Sequence, residues 1–81
     1  MQVSIRYFAA LREAAGTVGE TLDAPGGVTV ADLRALLARQ RADLAPLLPR
    51  CAVAVNRAYA TDETTLRDGD ELAFLPPVGG G

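Results

Sequence analysis

Histidine and lysine are both absent from this chain, and all eight of its basic residues are arginine. Without histidine, the commonest general base and metal ligand is missing. Without lysine, the domain offers no side-chain amine as an acceptor for its own tail. One cysteine, Cys51, excludes an internal disulfide framework. It opens an apolar run, where a free cysteine behaves as a small buried hydrophobe rather than a reactive thiol. No apolar run approaches the length of a membrane span. No basic segment followed by an apolar stretch marks a secretory signal. A net charge of −2 gives no broad basic footprint for nucleic acid. Together these absences point to a soluble cytoplasmic protein that engages neither nucleic acid nor membrane.

What remains is enough for one domain. The 81 residues are 49% apolar and 22% charged, which supports a single core of modest stability. Gln2 to Phe8 alternates, with Val3, Ile5 and Tyr7 on one side and Gln2, Ser4, Arg6 and Phe8 on the other, as in a half-buried strand. Ala9 to Ala15 is rich in helix formers and stops at Gly16, which predicts a helical turn between strands. Val18 to Asp23 reads as a second strand, closed by Pro25-Gly26-Gly27. Thr29 is a good N-cap with Asp32 three residues on, and Val30, Leu33, Leu36 and Leu37 mark the apolar face of the main helix. Arg34, Arg39 and Arg41 form its solvated side. Ala42 to Leu48 repeats a shorter helical signal, limited by Pro46 and ended by Pro49.

Cys51 to Val55 is an apolar run fit for an interior strand. Asn56-Arg57 is a turn candidate, and Ala58-Tyr59-Ala60 a short returning strand. Thr61 to Thr65 is polar and exposed, with Asp62 and Glu63 as solvated loop charges. Asp68-Gly69 signals a turn. That turn accounts for Asp68, Asp70 and Glu71 better than a metal site does, since a hard ion wants more ligands. Glu71 to Leu75 is the last strand, with Leu72 and Phe74 inward. The order predicts an α+β fold, one helix across one mixed sheet. The expected core is Val3, Ile5, Tyr7, Leu22, Val30, Leu33, Leu36, Leu37, Val53, Val55, Leu72 and Phe74.

Everything before residue 76 reads as a stand that holds out a tail. The expected division is a domain over residues 1–75 and a flexible tail over residues 76–81. Proline fixes φ and cannot donate to a ladder, so Pro76-Pro77 takes the chain stiffly out of the sheet. Val78 follows, and then Gly79, Gly80 and Gly81 carry no side chains, which lets a backbone pass through a narrow space. From Pro76 the arm reaches roughly 20 Å. A carboxylate on such an arm suits delivery into another protein's active site. If Leu72 and Phe74 face in, Leu75 faces out on the same side as Phe8. Phe8, Leu75, Pro76, Pro77 and Val78 then form an apolar patch beside the tail root.

The element order resembles the ubiquitin-like β-grasp fold. Tyr7-Phe8-Ala9-Ala10-Leu11-Arg12-Glu13-Ala14-Ala15-Gly16, Ala54-Val55-Asn56 and the run from Leu66 to Gly81 resemble the small, sulfur-carrier subunits of molybdopterin synthase. A terminal Gly-Gly pair alone is a weak signal. Joined to Asp68-Gly69-Asp70-Glu71 and Phe74-Leu75-Pro76-Pro77-Val78, it is specific. Two positions depart from the family pattern. Leu75 stands where a second aromatic is usual, and Gly79 where a non-glycine residue usually precedes the final pair.

The resemblance implies a role and partners. A partner like the ubiquitin-activating enzymes uses ATP to adenylate the Gly81 carboxylate, and a sulfur donor protein converts the adenylate into a thiocarboxylate. The large synthase subunit, in a heterotetramer, accepts the tail and uses its sulfur to build the dithiolene of molybdopterin. On this reading Gly81 reacts, while Gly80, Gly79, Val78, Pro77, Pro76, Leu75 and Phe8 bind partners. The chain itself is a carrier subunit that binds no cofactor or metal. A carrier for thiamine, transfer-RNA thiolation or amino-acid synthesis, a protein modifier joined to lysines, and an interaction module with an inert tail are the alternatives.

Overall fold

The computed structural model describes residues 1–77. The elements are β1 (Gln2–Tyr7), α1 (Ala9–Ala15), β2 (Gly19–Asp23), α2 (Val30–Gln40), a 3₁₀ turn (Leu48–Arg50), β3 (Ala52–Val55), β4 (Ala58–Ala60) and β5 (Glu71–Leu75). The strands form one sheet in the order β2-β1-β5-β3-β4. β1 and β5 run parallel, and the other neighbours are antiparallel. This is the expected mixed sheet, and the last strand in the chain lies in its middle.

The alternation in β1 works as the sequence implies: Val3, Ile5 and Tyr7 are buried and the residues between them are exposed. Cross-strand register aligns Ile5 with Leu72 and Leu72 with Val55, and likewise Tyr7 with Phe74 and Phe74 with Val53. These rows meet Val30, Leu33 and Leu37 of α2 in one core cluster. Fully burying each such side chain stabilises by about 1.5–3 kcal/mol.

Helix α2 starts where its capping residues dictate. Thr29 Oγ1 accepts from the Asp32 N–H at 3.2 Å, and Asp32 Oδ2 accepts from the Thr29 N–H at 3.0 Å. The next two amides, on Val30 and Ala31, donate to the carbonyl oxygens of Thr64 and Asp62. The Thr61 to Thr65 segment is therefore more than an exposed loop, because it satisfies the helix N-terminus that a capping box alone leaves half open. Helix α1 ends at Gly16, whose φ of 74° is left-handed and whose N–H donates to the Arg12 carbonyl. Asn56 and Arg57, at φ 50° and 71°, form the two-residue turn between β3 and β4.

Several expectations need correction. The second strand starts at Gly19, and Val18 stands 64% exposed. Ala42 to Leu47 forms turns instead of a helix, and Leu48 opens the 3₁₀ turn. Pro46 has no N–H for a helical bond, and the carbonyls of Arg41, Ala42 and Leu44 accept from residues three or four on. Pro49 does not end this segment but sits in the first turn of the 3₁₀ helix. Leu36 and Val55 are only partly buried, while Leu11, Ala24, Leu44, Leu48, Cys51 and Leu66 join the core. Arg34 and Arg41 are not simply solvated, since each holds a carboxylate. The carboxylate that Arg34 holds is Asp62, so Asp62 is no free loop charge.

Candidate functional site

β5 is hydrogen-bonded along both edges, to β1 and to β3. Its last residue, Leu75, pairs with Ala52, and Pro76 and Pro77 follow directly. The tail root is thus fixed by the central strand of the sheet. The turn before β5 sets its register. The Gln2 N–H donates to Asp68 Oδ1 at 2.7 Å, and the Gly69 N–H to the Gln2 carbonyl at 2.7 Å. Asn56 spans from the β3–β4 turn, donating to Asp70 Oδ1 at 2.9 Å and accepting from the Glu71 N–H at 3.0 Å. These bonds give the polar residues of the Asp68–Glu71 turn a structural task.

The face of the sheet away from α2 carries Arg6, Ala73, Ala54 and Tyr59 in one register row, and Leu75 beside Ala52 in the next. Beside Ala52 and Leu75, a groove of about 580 Å³ opens at the tail root, lined by Phe8, Ala9, Arg50, Ala52, Tyr59, Leu75, Pro76 and Pro77. The ring of Phe8 is 38% exposed and lies 5.8 Å from the Arg6 guanidinium carbon. Phe8 is extended, and Ala9 then takes φ 49°, turning the chain sharply from β1 into α1. A left-handed alanine costs about 1–2 kcal/mol.

Two part-buried contacts brace the segments next to the groove. Tyr7 at the end of β1 donates its hydroxyl to Glu20 Oε2, which also accepts from Arg41 Nε at 2.9 Å. Burial, with the Glu20 contact adding to it, pushes the Tyr7 phenol above its ordinary range. Burial alone would raise Glu20, but hydrogen bonds from Arg41 and Tyr7 outweigh it and hold the carboxyl below its ordinary value. On the helix side, Arg34 reaches from α2 to the carbonyl oxygens of Leu48 at 2.6 Å and Cys51 at 2.9 Å. It thereby fixes the segment that carries Arg50 and Ala52. Cys51 itself turns inward, and its Sγ donates to the Leu47 carbonyl at 3.3 Å. Burial pushes its thiol up against the opposing pull of the Arg34 charge.

Phe8, Leu75, Pro76 and Pro77 therefore lie together, as the strand parity implied. Val78, Gly79, Gly80 and Gly81 lie outside the described residues. Ala9, Arg50, Ala52 and Tyr59 were missed as groove residues. Strand alternation was the available signal for two of them. With Val53 inward, Ala52 and Ala54 face out, and Tyr59, opposite Ala54, faces out with them. The apolar run from Cys51 to Val55 masked this, because alanine reads as apolar on either face. Arg50 carried no signal, since its place depends on the 3₁₀ turn.

A ThiS family model matches residues 5–81. The molybdopterin synthase sulfur carrier subunit of Chlamydomonas reinhardtii is 36% identical over the full length of both chains. The one from Mycobacterium tuberculosis is 38% identical over all of this chain and 99% of its own. Among solved structures, SAMP1 from Haloferax volcanii aligns over the whole of both chains with a TM-score of 0.87 and 29% identity. A complex of subunits 1 and 2 of the molybdopterin-converting factor from Helicobacter pylori contains a chain that is 32% identical over full length, with a TM-score of 0.73. The fold is the ubiquitin-like β-grasp. Among the described residues, no helix is long and apolar enough to cross a membrane.

Proposed function

This chain belongs to the ThiS family, and from that premise we propose that it is the sulfur-carrier subunit of a molybdopterin synthase. The observation that carries the reading is the tail root: a central strand, braced on both edges, ends in Pro76 and Pro77 at the rim of an apolar groove. Full-length similarity to sulfur carrier subunits supports it.

In the proposed reaction the Gly81 carboxylate attacks ATP on an adenylyltransferase, releasing pyrophosphate. A carboxylate is a poor electrophile, and the adenylate makes its carbon open to attack. Sulfur at the sulfide level, released by a donor protein, then forms the C–S bond as the bond to AMP breaks, and leaves a thiocarboxylate. The tethered thiocarboxylate is a nucleophile of high local concentration for the next active site. Pro76-Pro77 lowers the entropy lost when the arm enters a channel, and the glycines keep that channel narrow. The chain's part is to present and orient the terminus; the catalytic groups belong to its partners. The large synthase subunit is the proposed docking partner, with Phe8 and Leu75 at the contact. The Helicobacter pylori complex of subunits 1 and 2 supports such a pairing.

The test is mass spectrometry of intact protein and C-terminal peptides after incubation with ATP, a matching adenylyltransferase and a sulfur donor. One oxygen replaced by sulfur on Gly81, only with ATP, is the expected result. Sulfur on Cys51 instead, or normal loading of a variant extended by one residue, would sink the reading.

A second reading is a protein modifier, favoured by the similarity to small archaeal modifier protein 1, at 28% identity and a TM-score of 0.85. Covalent conjugates in a cell lysate, ending in this chain's tail on target lysines, would select it.

A further inference from the structure

We propose that this domain is inert toward its own activated tail: around the tail root it presents positive charge as guanidinium, with no primary amine and no accessible thiol. The inference rests on the carrier reading, because only an activated carboxyl needs such protection. An amine meeting the adenylate would form a C–N bond, break the bond to AMP and release a proton to solvent. The amide so formed would end that copy's service. A thiol would form a C–S bond with the same loss of AMP and divert the acyl group.

Reach makes the question a real one. Residues 78–81 span at most about 14 Å, so the groove beside Pro76 and Pro77 lies within covalent reach of the Gly81 carbon. Arg50 lines that groove. A lysine there would face the tail at an effective concentration on the order of millimolar or more. Arginine instead stays protonated and presents donors only. It can attract a carboxylate or adenylate phosphate without consuming it. The same holds at every basic position, since the sequence has eight arginines and no lysine.

The chain's one thiol is withdrawn from the same place. Cys51 lies between Arg50 and Ala52, both of which line the groove. Its own side chain points the other way, 6% exposed, with Sγ on the Leu47 carbonyl. The Met1 amino group is at the far end. β1 and β5 are parallel, so Met1 sits opposite the end from which the tail leaves. The six residues of β1 span about 20 Å, beyond the arm's reach, and the amino group donates to the Ala24 carbonyl at 2.7 Å. Tyr59 brings a hydroxyl to the groove, but a hydroxyl with no base beside it is a weak nucleophile.

The test uses the full chain with Gly81 converted to a small-thiol thioester by intein chemistry, held at mildly alkaline pH and followed by intact mass. No ATP or partner is involved, so failure of adenylation, which would undercut the carrier reading, leaves no mark on this assay. Wild type should lose its thioester only to water. Arg50→Lys and Tyr59→Lys should form an amide within the chain or a covalent dimer, losing the thioester about tenfold faster or more. Arg67→Lys, in the loop beside the start of β1 at the far end, should match wild type. A wild-type adduct on any side chain or on the Met1 nitrogen overturns the proposal. So does survival of both groove lysine variants for as long as wild type, or reaction of Arg67→Lys as fast as theirs.

Discussion

The guanidinium carbon of Arg34 lies 5.4 Å from the centre of the Phe74 ring. That one side chain covers a central residue of β5, pairs with Asp62 at 3.0 Å and holds the carbonyls of Leu48 and Cys51. Replacing it with methionine keeps the stem and removes the donors. Arg34→Met should cost about 1–3 kcal/mol, the range for leaving buried acceptors unmet. Urea unfolding should show a lower midpoint with an unchanged slope. A loss below about 0.5 kcal/mol would mean that solvent replaces the guanidinium there.

Phe8→Asp with Leu75→Asp should leave the fold intact, because both side chains lie off the core. Binding to the large synthase subunit should weaken on the order of a hundredfold, as for loss of interface hot spots. Calorimetry reads the affinity and circular dichroism the fold. Unchanged binding would place the contact on another face.

Gly19 lies opposite Arg6 at the start of β2. A Cβ built there would stand 2.6 Å from the Ile5 carbonyl oxygen, nearer than any real contact. Gly19→Ala must therefore push β2 from β1, at a cost of about 1–3 kcal/mol. Thermal melts measure it, and hydrogen exchange should show the β1–β2 edge opening first. A melt equal to wild type would mean the strand moves aside freely.

Glu20 and Tyr7 give the protein opposite sensitivities to pH. Glu20 is held below its ordinary value when folded. Its contribution is present above the unfolded carboxylate pKa of about 4.3 and is lost as pH falls through the lower folded value. Tyr7 is raised, so its contribution is present below about pH 10 and is lost at higher pH. Glu20→Gln should lower the urea midpoint at neutral pH and flatten the acid limb. A mutant curve parallel to wild type from pH 7 to pH 3 would remove Glu20 from the acid response.

The period-two pattern of β1 and β5 made the core face legible, because one buried face forces alternation. The helix start at Thr29 was legible from chemistry confined to four residues. The arginines were not. Arg34 and Arg41 sit at positions that a helical wheel assigns to solvent, yet the 3₁₀ turn and β2 fold back over that side and supply acceptors. Those partners lie 14 and 21 residues away, a separation no local pattern encodes. The groove was half legible for a similar reason. Phe8 and Leu75 announce themselves as apolar residues of the wrong parity, whereas alanine gives no sign of its direction. Arg50 could be placed only once the preceding segment was known to be turns and not a helix.

The placement of β5 has a mechanical consequence. A pull applied beyond Leu75 along the strand axis would fall on a strand bonded along both edges. The ladder bonds on the two sides then share that load at once, in shear, whereas an edge strand pulled outward would peel one bond at a time. The domain behind Pro76 and Pro77 would therefore act as a rigid anchor against such a pull.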